Sequence, residues 1–147
     1  MAQVLTTLPA MLERELERHA GLSWMEYHAL AMLSEQEGHL MRMSRLAAVT
    51  NASLSRLSHL VKRLEARGYL RREPDASDGR FIVAILTLAG RTALVAAAPW
   101  HVESVRRFVF DAVGAQDMAV LRSAFDRIAV ALDEARERVA EAADPDS

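Results

Sequence analysis

Between Ser53 and Arg67 the chain places short polar side chains ahead of long cationic ones on one side of a helical repeat: Ser53, Ser55, Arg56, Ser58 and His59, then Lys62 and Arg63. The other side carries Leu54, Leu57, Leu60, Val61 and Leu64. Such a rod suits the major groove of B-DNA, because small hydroxyl residues near its start permit close approach to base edges and cations further along reach phosphates. Its N-terminal dipole favours a phosphate as well. Ser53 also reads as a plain helix cap. Arg63 is open to two roles, phosphate contact or an ion pair with a carboxylate of its own subunit. Downstream, Arg72 and Arg80 add cations, and Asp78 stands two residues before Arg80. A carboxylate facing a phosphate would be repelled, so Asp78 is expected to pair with an arginine such as Arg80. Arg80 is then either that partner or a cation inserted into a DNA groove.

Charge along the chain supports this placement. Residues 1–40 carry −4, residues 41–82 carry +5 and residues 83–147 carry −3, which a net charge of −2 conceals. A basic middle between acidic ends is what a chain needs if only its centre meets a polyanion. Other chemistry is poorly represented. The sequence has no G-x-S-x-G, P-loop, H-E-x-x-H or glycine-rich phosphate cradle, and no enzymatic activity is expected. The absence of cysteine excludes disulfides, zinc–cysteine sites and thiol catalysis. His19, His28, His39, His59 and His101 form no tight set with other ligand residues, so neither a metal nor a cofactor is expected. No run approaches the roughly 18 apolar residues of a membrane span. Met1-Ala2-Gln3-Val4 does not lead from a basic segment into an apolar one, and a soluble, cytoplasmic protein is expected.

The elements that must position these residues are mostly helical. Leu5, Leu8, Leu12 and Leu16 form one apolar stripe, with the regular helix expected to begin near Pro9. Ser23-Trp24-Met25-Glu26 reads as a capping box, flanked by Leu22 and Tyr27 at staple positions, opening a helix that runs to Gly38. Ser44 is expected to cap a short helix through Val49, Thr50-Asn51-Ala52 to turn, and Ser53 to cap the next helix, which ends at Gly68. Tyr69–Glu73 and Phe81–Leu86, joined by a polar tip at 74–79, read as a β-hairpin. Pro99 is expected to kink or divide a helix over 88–110. Met118, Leu121, Phe125, Ile128, Leu132, Ala135 and Val139 then step by threes and fours, a seam suited to another helix. The tail 143–147 is expected to be disordered.

Two short helices with a tight turn, followed by a basic hairpin, are the parts of a winged helix-turn-helix. At this point the residues resemble the MarR (multiple antibiotic resistance regulator) family of transcription factors. Leu46-Ala47 resembles the start of the family's first motif helix. Ser53 through Arg63-Leu64-Glu65-Ala66-Arg67-Gly68-Tyr69-Leu70 resembles its recognition helix and the signature that follows. Asp78-Gly79-Arg80 resembles the wing's D-x-R, and Leu86-Thr87-Leu88-Ala89-Gly90-Arg91 the L-T-x-x-G-R motif. The order and separations match over residues 22–91. Departures are Gly79 where the wing often has a base, His59 where arginine is common, and Leu54 in place of a proline.

The resemblance implies a mainly α fold with a small β-hairpin wing: a winged helix-turn-helix DNA-binding domain at 22–87 and a helical dimerisation region from 1–21 and 88–142. It implies a homodimeric regulator, most simply a repressor, whose two motifs face successive major grooves about 34 Å apart on double-stranded DNA with a pseudo-palindromic operator. It further implies a small aromatic or phenolic effector. Trp24, Tyr27, His28, Trp100 and His101 either line its pocket or simply pack as core. The competing class is a winged-helix protein-interaction module without operator binding, which would lack salt-steep DNA affinity.

Overall fold

The computed structural model describes residues 1–143, leaving aside the side chains of 136, 137 and 139–143. The expected disorder of the tail and the seam role of Val139 therefore lie outside the described residues. Two compact units divide at Val105 and Arg106.

In the first unit, α1 (Ala2–Ala20) stops at Gly21. Then α2 (Trp24–Ser34) opens with the expected capping box: Ser23 Oγ accepts from the Glu26 N–H at 3.2 Å, and Glu26 Oε2 accepts from the Ser23 N–H at 3.0 Å. A short strand β1 (Leu40–Arg42) leads into α3 (Met43–Val49) and α4 (Leu54–Ala66), followed by β2 (Leu70–Pro74), β3 (Ile82–Leu86) and α5 (Leu88–Val105). The turn between α3 and α4 rests on Asn51 at φ 52°, a left-handed conformation that asparagine tolerates. The Thr50 hydroxyl donates to the Leu46 carbonyl at 2.7 Å, and the Ala52 N–H to the Ala47 carbonyl at 2.9 Å. Leu57, Leu60, Val61 and Leu64 of α4 are buried in one cluster with Leu16, Leu22, Leu30, Leu33 and Leu46. Burial of each such side chain is worth roughly 1.5–3 kcal/mol, which fixes the roll of α4 about its own axis. Ala97 of α5 joins the same cluster, and α1 packs along α5.

Several expectations are corrected. The hairpin is the larger part of a three-stranded antiparallel sheet ordered β1-β3-β2, with Arg42 paired to Val83 and Arg72 to Ala84. Three residues are too few to show alternation, so β1 left no signal. The first helix begins at Ala2 rather than near Pro9, since a proline there removes one hydrogen bond without ending the helix. The second stops at Ser34; Gly38, at φ 67°, instead shapes a single 3₁₀ turn at Glu37–His39. Ser44 is no cap, for Arg42 holds that position and Ser44 falls within the first turn of α3. The helix from Leu88 passes through Pro99 undivided, and a π turn at Arg106–Phe110 replaces its expected last turn.

The join from sheet to α5 depends on Thr87 and Gly90. The Thr87 hydroxyl donates to the Gly68 carbonyl at 2.6 Å and accepts from the Gly90 N–H at 3.1 Å, capping α5. A Cβ on Gly90 would lie 2.1 Å from the Tyr69 carbonyl oxygen and 2.8 Å from Leu86 Cδ1, so only glycine fits beneath that backbone.

The second unit holds the π turn, a single turn α6 (Asp111–Val113) and the long α7 (Met118–Ala143). Along α7 the expected seam residues Phe125, Ile128 and Leu132 are 52%, 53% and 60% exposed.

Gly90→Ala should lower stability by about 1–3 kcal/mol, the usual range for overpacking against fixed backbone. Denaturant unfolding of the two proteins measures it, and an unchanged midpoint would contradict the close approach.

Candidate nucleic-acid interface

The N-terminus of α4 is held by Ser53, whose Oγ accepts from the Arg56 N–H at 3.2 Å. With the apolar stripe inward, Ser55, Arg56, Ser58, His59, Lys62 and Arg63 all lie exposed. Among the described residues, Arg56 and Lys62 make no side-chain ion pair. Arg63 and Arg72 differ. Arg63 Nε donates to Glu26 Oε1 at 3.2 Å, the intrasubunit alternative, while 59% of its side chain stays exposed. Arg72 is engaged by Glu65 of α4, which accepts from its backbone N–H at 3.0 Å and from Nε at 2.9 Å. This bidentate pair ties the wing's first strand to α4.

The wing tip is braced by two aspartates. Asp75 accepts from the Ser77 N–H at 2.8 Å, from the Ser77 hydroxyl at 2.7 Å and from Arg42 Nε at 2.5 Å. Those hydrogen bonds, Ser77 foremost and then Arg42, hold its carboxyl far below the usual carboxylate range. The Arg42 guanidinium also lies 4.4 Å over the Phe81 ring. Asp78 accepts from the Arg80 N–H at 3.1 Å and Nη2 at 2.7 Å, so Arg80 lowers the Asp78 pKa and Asp78 raises that of Arg80. The Arg80 side chain nevertheless remains 85% exposed at the tip. Arg80 is thus both the partner of Asp78 and an outward cation. Sequence reasoning missed Arg42 because its partner is 33 residues away and β1 was not visible.

Four of the five aromatic and histidine residues singled out for an effector, Trp24, Tyr27, His28 and His101, are brought together in the first unit. Trp24 lies 5.1 Å from His101 and 5.7 Å from His28, and Tyr27 lies 5.0 Å from His101, centroid to centroid. Trp100 stacks on His19 at 4.1 Å, a partner outside the expected set. Burial raises the Tyr27 pKa and lowers that of His101, whose Nδ1 is buried without a hydrogen-bond partner. A groove of about 440 Å³ runs from Trp24 and Met25 to Arg56, His59, Leu60 and Arg63. Among the described residues, no group of three or more His, Cys, Asp or Glu is placed to hold a metal ion, and no helix is long and apolar enough to cross a membrane.

Two pH dependences follow from these shifts. Both wing carboxylates are lowered on folding, so the brace is complete above the ordinary aspartate value of about 3.9 and weakens only as pH falls through the lowered values. The Ser77 and Arg80 amide signals should hold position from about pH 7 to about pH 4 and move in stronger acid; movement beginning near pH 5 would contradict the brace. His101 should titrate below about 6.5, its contribution to stability being present above that value and lost as pH falls through its lowered one. A ring titration at or above the free-histidine value would contradict its burial.

This architecture has close counterparts. The MarR family matches residues 20–80. AbsC, a MarR family transcriptional regulator from Streptomyces coelicolor, is similar at 41% identity and a TM-score of 0.81, over 90% of this chain and 89% of that one. A second MarR family regulator from Streptomyces coelicolor, solved in complex with DNA, is 38% identical with a TM-score of 0.81, over 87% of this chain and 80% of that one. CouR from Rhodococcus jostii RHA1, solved bound to p-coumaroyl-CoA, is 26% identical with a TM-score of 0.71, over 87% of each chain. No curated protein matches the sequence. With a helix-turn-helix and a braced wing in place, and with two such relatives alike along most of their length, the chain belongs to the MarR family of transcriptional regulators.

Proposed function

We propose that this protein is a sequence-specific DNA-binding repressor, acting in the cytoplasm as a homodimer on a pseudo-palindromic operator and released by a small aromatic or phenolic effector. The observation that carries the reading is the outward face of α4: Ser55, Arg56, Ser58, His59 and Lys62 exposed together on a helix whose other face is locked in the core. In this reading Ser53, Ser55, Arg56, Ser58 and His59 meet base edges and nearby backbone. Lys62 meets phosphates, Arg63 is held by Glu26, Arg72 supports the wing, and Arg80 enters the adjoining groove. The relative solved with DNA supports the same use of the fold.

Pairing of two copies is supported by apolar surface. Phe125, Ile128 and Leu132 are exposed on α7, as are Val4 and Leu5 on α1 and Val95 and Val102 on α5. An apolar groove of about 650 Å³, lined by Val109, Phe110, Met118, Leu121 and Phe125 in the second unit, offers a seat for a partner helix. Two-fold pairing would set the recognition helices about 34 Å apart. Effector release draws support from the CouR complex and from the cluster of Trp24, Tyr27, His28 and His101, beside which Trp100 stacks on His19. Such switches typically couple ligand and DNA by about 1–3 kcal/mol.

A mobility shift on DNA beside the protein's own gene, run across salt, tests the reading. Arg56→Ala and Arg80→Ala should each weaken operator binding by about 1–3 kcal/mol while the dimer elutes unchanged. If both variants bind as tightly as the parent, or affinity is insensitive to salt, the reading fails.

A further inference from the structure

We propose that Glu26 is a positioning residue for the recognition helix, a buried clamp that withholds Arg63 and Arg67 from DNA and makes α4 follow the first turn of α2. The inference rests on the operator-binding reading above. Glu26 is only 7% exposed, yet no step of that reading uses it. Its carboxylate accepts from the Ser23 N–H at 3.0 Å and from Arg63 Nε at 3.2 Å, with Arg67 Nη1 at 3.9 Å. Arg67 Nη1 also donates to the Gly21 carbonyl at 2.8 Å, and its guanidinium lies 4.6 Å over the Tyr69 ring. The turn between α1 and α2 is thereby joined to the C-terminal end of α4 through one buried carboxylate whose arginine partners stay partly in solvent, by charge-assisted hydrogen bonds.

The opposite side of the same turn faces the aromatic cluster. At 100° per residue, Trp24, Tyr27 and His28 share one flank of α2, and Glu26 lies roughly across the helix from them. Trp24 and Tyr27 pack on His101 of α5. One helical turn therefore touches α5 on one side, and Arg63 and Arg67 at the end of α4 on the other. A ligand that parts the ring cluster must carry the clamp with it, and the recognition helix with the clamp. A second consequence concerns selectivity: two cations committed to Glu26 are not available for sequence-blind phosphate contacts.

Glu26→Gln keeps the shape and the acceptor for Ser23 while removing the charge. In the DNA-free protein, its Arg63 Nε–H signal should exchange with water much faster than the parent's. The ratio of operator to random-sequence affinity should fall about tenfold, because the misplaced helix weakens operator binding while the released cations keep or raise affinity for random DNA. Arg67→Gln, at a surface position, should shift the ratio in the same direction and decides the matter if Glu26→Gln does not fold. Ser23→Ala removes the helix cap alone; it should lower the unfolding midpoint and leave the ratio unchanged. Parent-like discrimination in both charge variants overturns the proposal, as does an equal loss in Ser23→Ala. If the parent itself shows no operator preference, the operator reading falls, and the Arg63 signal still decides whether the clamp exists.

Discussion

The helix α4 is held by one face only, and that constraint shapes the first unit. Leu57, Leu60, Val61 and Leu64 are each at most 2% exposed, so α4 cannot roll without opening the core it shares with Leu22, Leu30, Leu33 and Leu46. Their spacing leaves the opposite face of α4 fully to water, with Arg56 and Lys62 upon it. Ser53 fixes where the helix starts, and Asn51 sets the sharp turn by which it leaves α3. The apolar stripe thus determines which side chains are presented, and the cap and turn determine where they are presented from.

Charge is distributed with similar economy. The basic middle of the chain does not offer all of its cations. Glu26 takes Arg63, Glu65 takes Arg72, Asp75 takes Arg42 and Asp78 takes Arg80. The pairs of Arg72, Arg42 and Arg80 lie nearer the surface and add little to stability, at about 0–1 kcal/mol each. Their service here is geometric, since they fix the wing on α4 and stiffen its tip. Arg80 keeps most of its side chain in solvent despite its partner, whereas Arg72 is claimed along both its backbone and its guanidinium. In the proposed interface these two arginines therefore do different work.

Local chemistry made much of this legible in the sequence. The Ser23–Glu26 box, the Ser53 cap and the turn at Thr50–Ala52 each involve residues within three or four positions, and each is found where the pattern put it. The Thr87–Gly90 motif also has a structural reason, a cap on α5 and a backbone approach that excludes any side chain at Gly90. What escaped notice is non-local. The carboxylate that takes Arg63 proves to be Glu26, 37 residues away, the Arg42–Asp75 pair spans 33 residues, and β1 is three residues long. Pro9 and Pro99 misled because a helix supported by packing tolerates one missing hydrogen bond. Four of the rings named from the sequence meet one another, but Trp100 stacks instead on His19 and joins α1 to α5, which no linear spacing could reveal.

The central claim is that the locked helix α4 and the wing tip together form the surface that meets DNA. Amide hydrogen exchange of the full protein with and without its operator duplex tests this most directly. The account predicts added protection over residues 53–63 and 75–81, beyond that produced by random-sequence DNA at the same salt. Unchanged exchange in both segments, with protection appearing elsewhere on the chain, would contradict it.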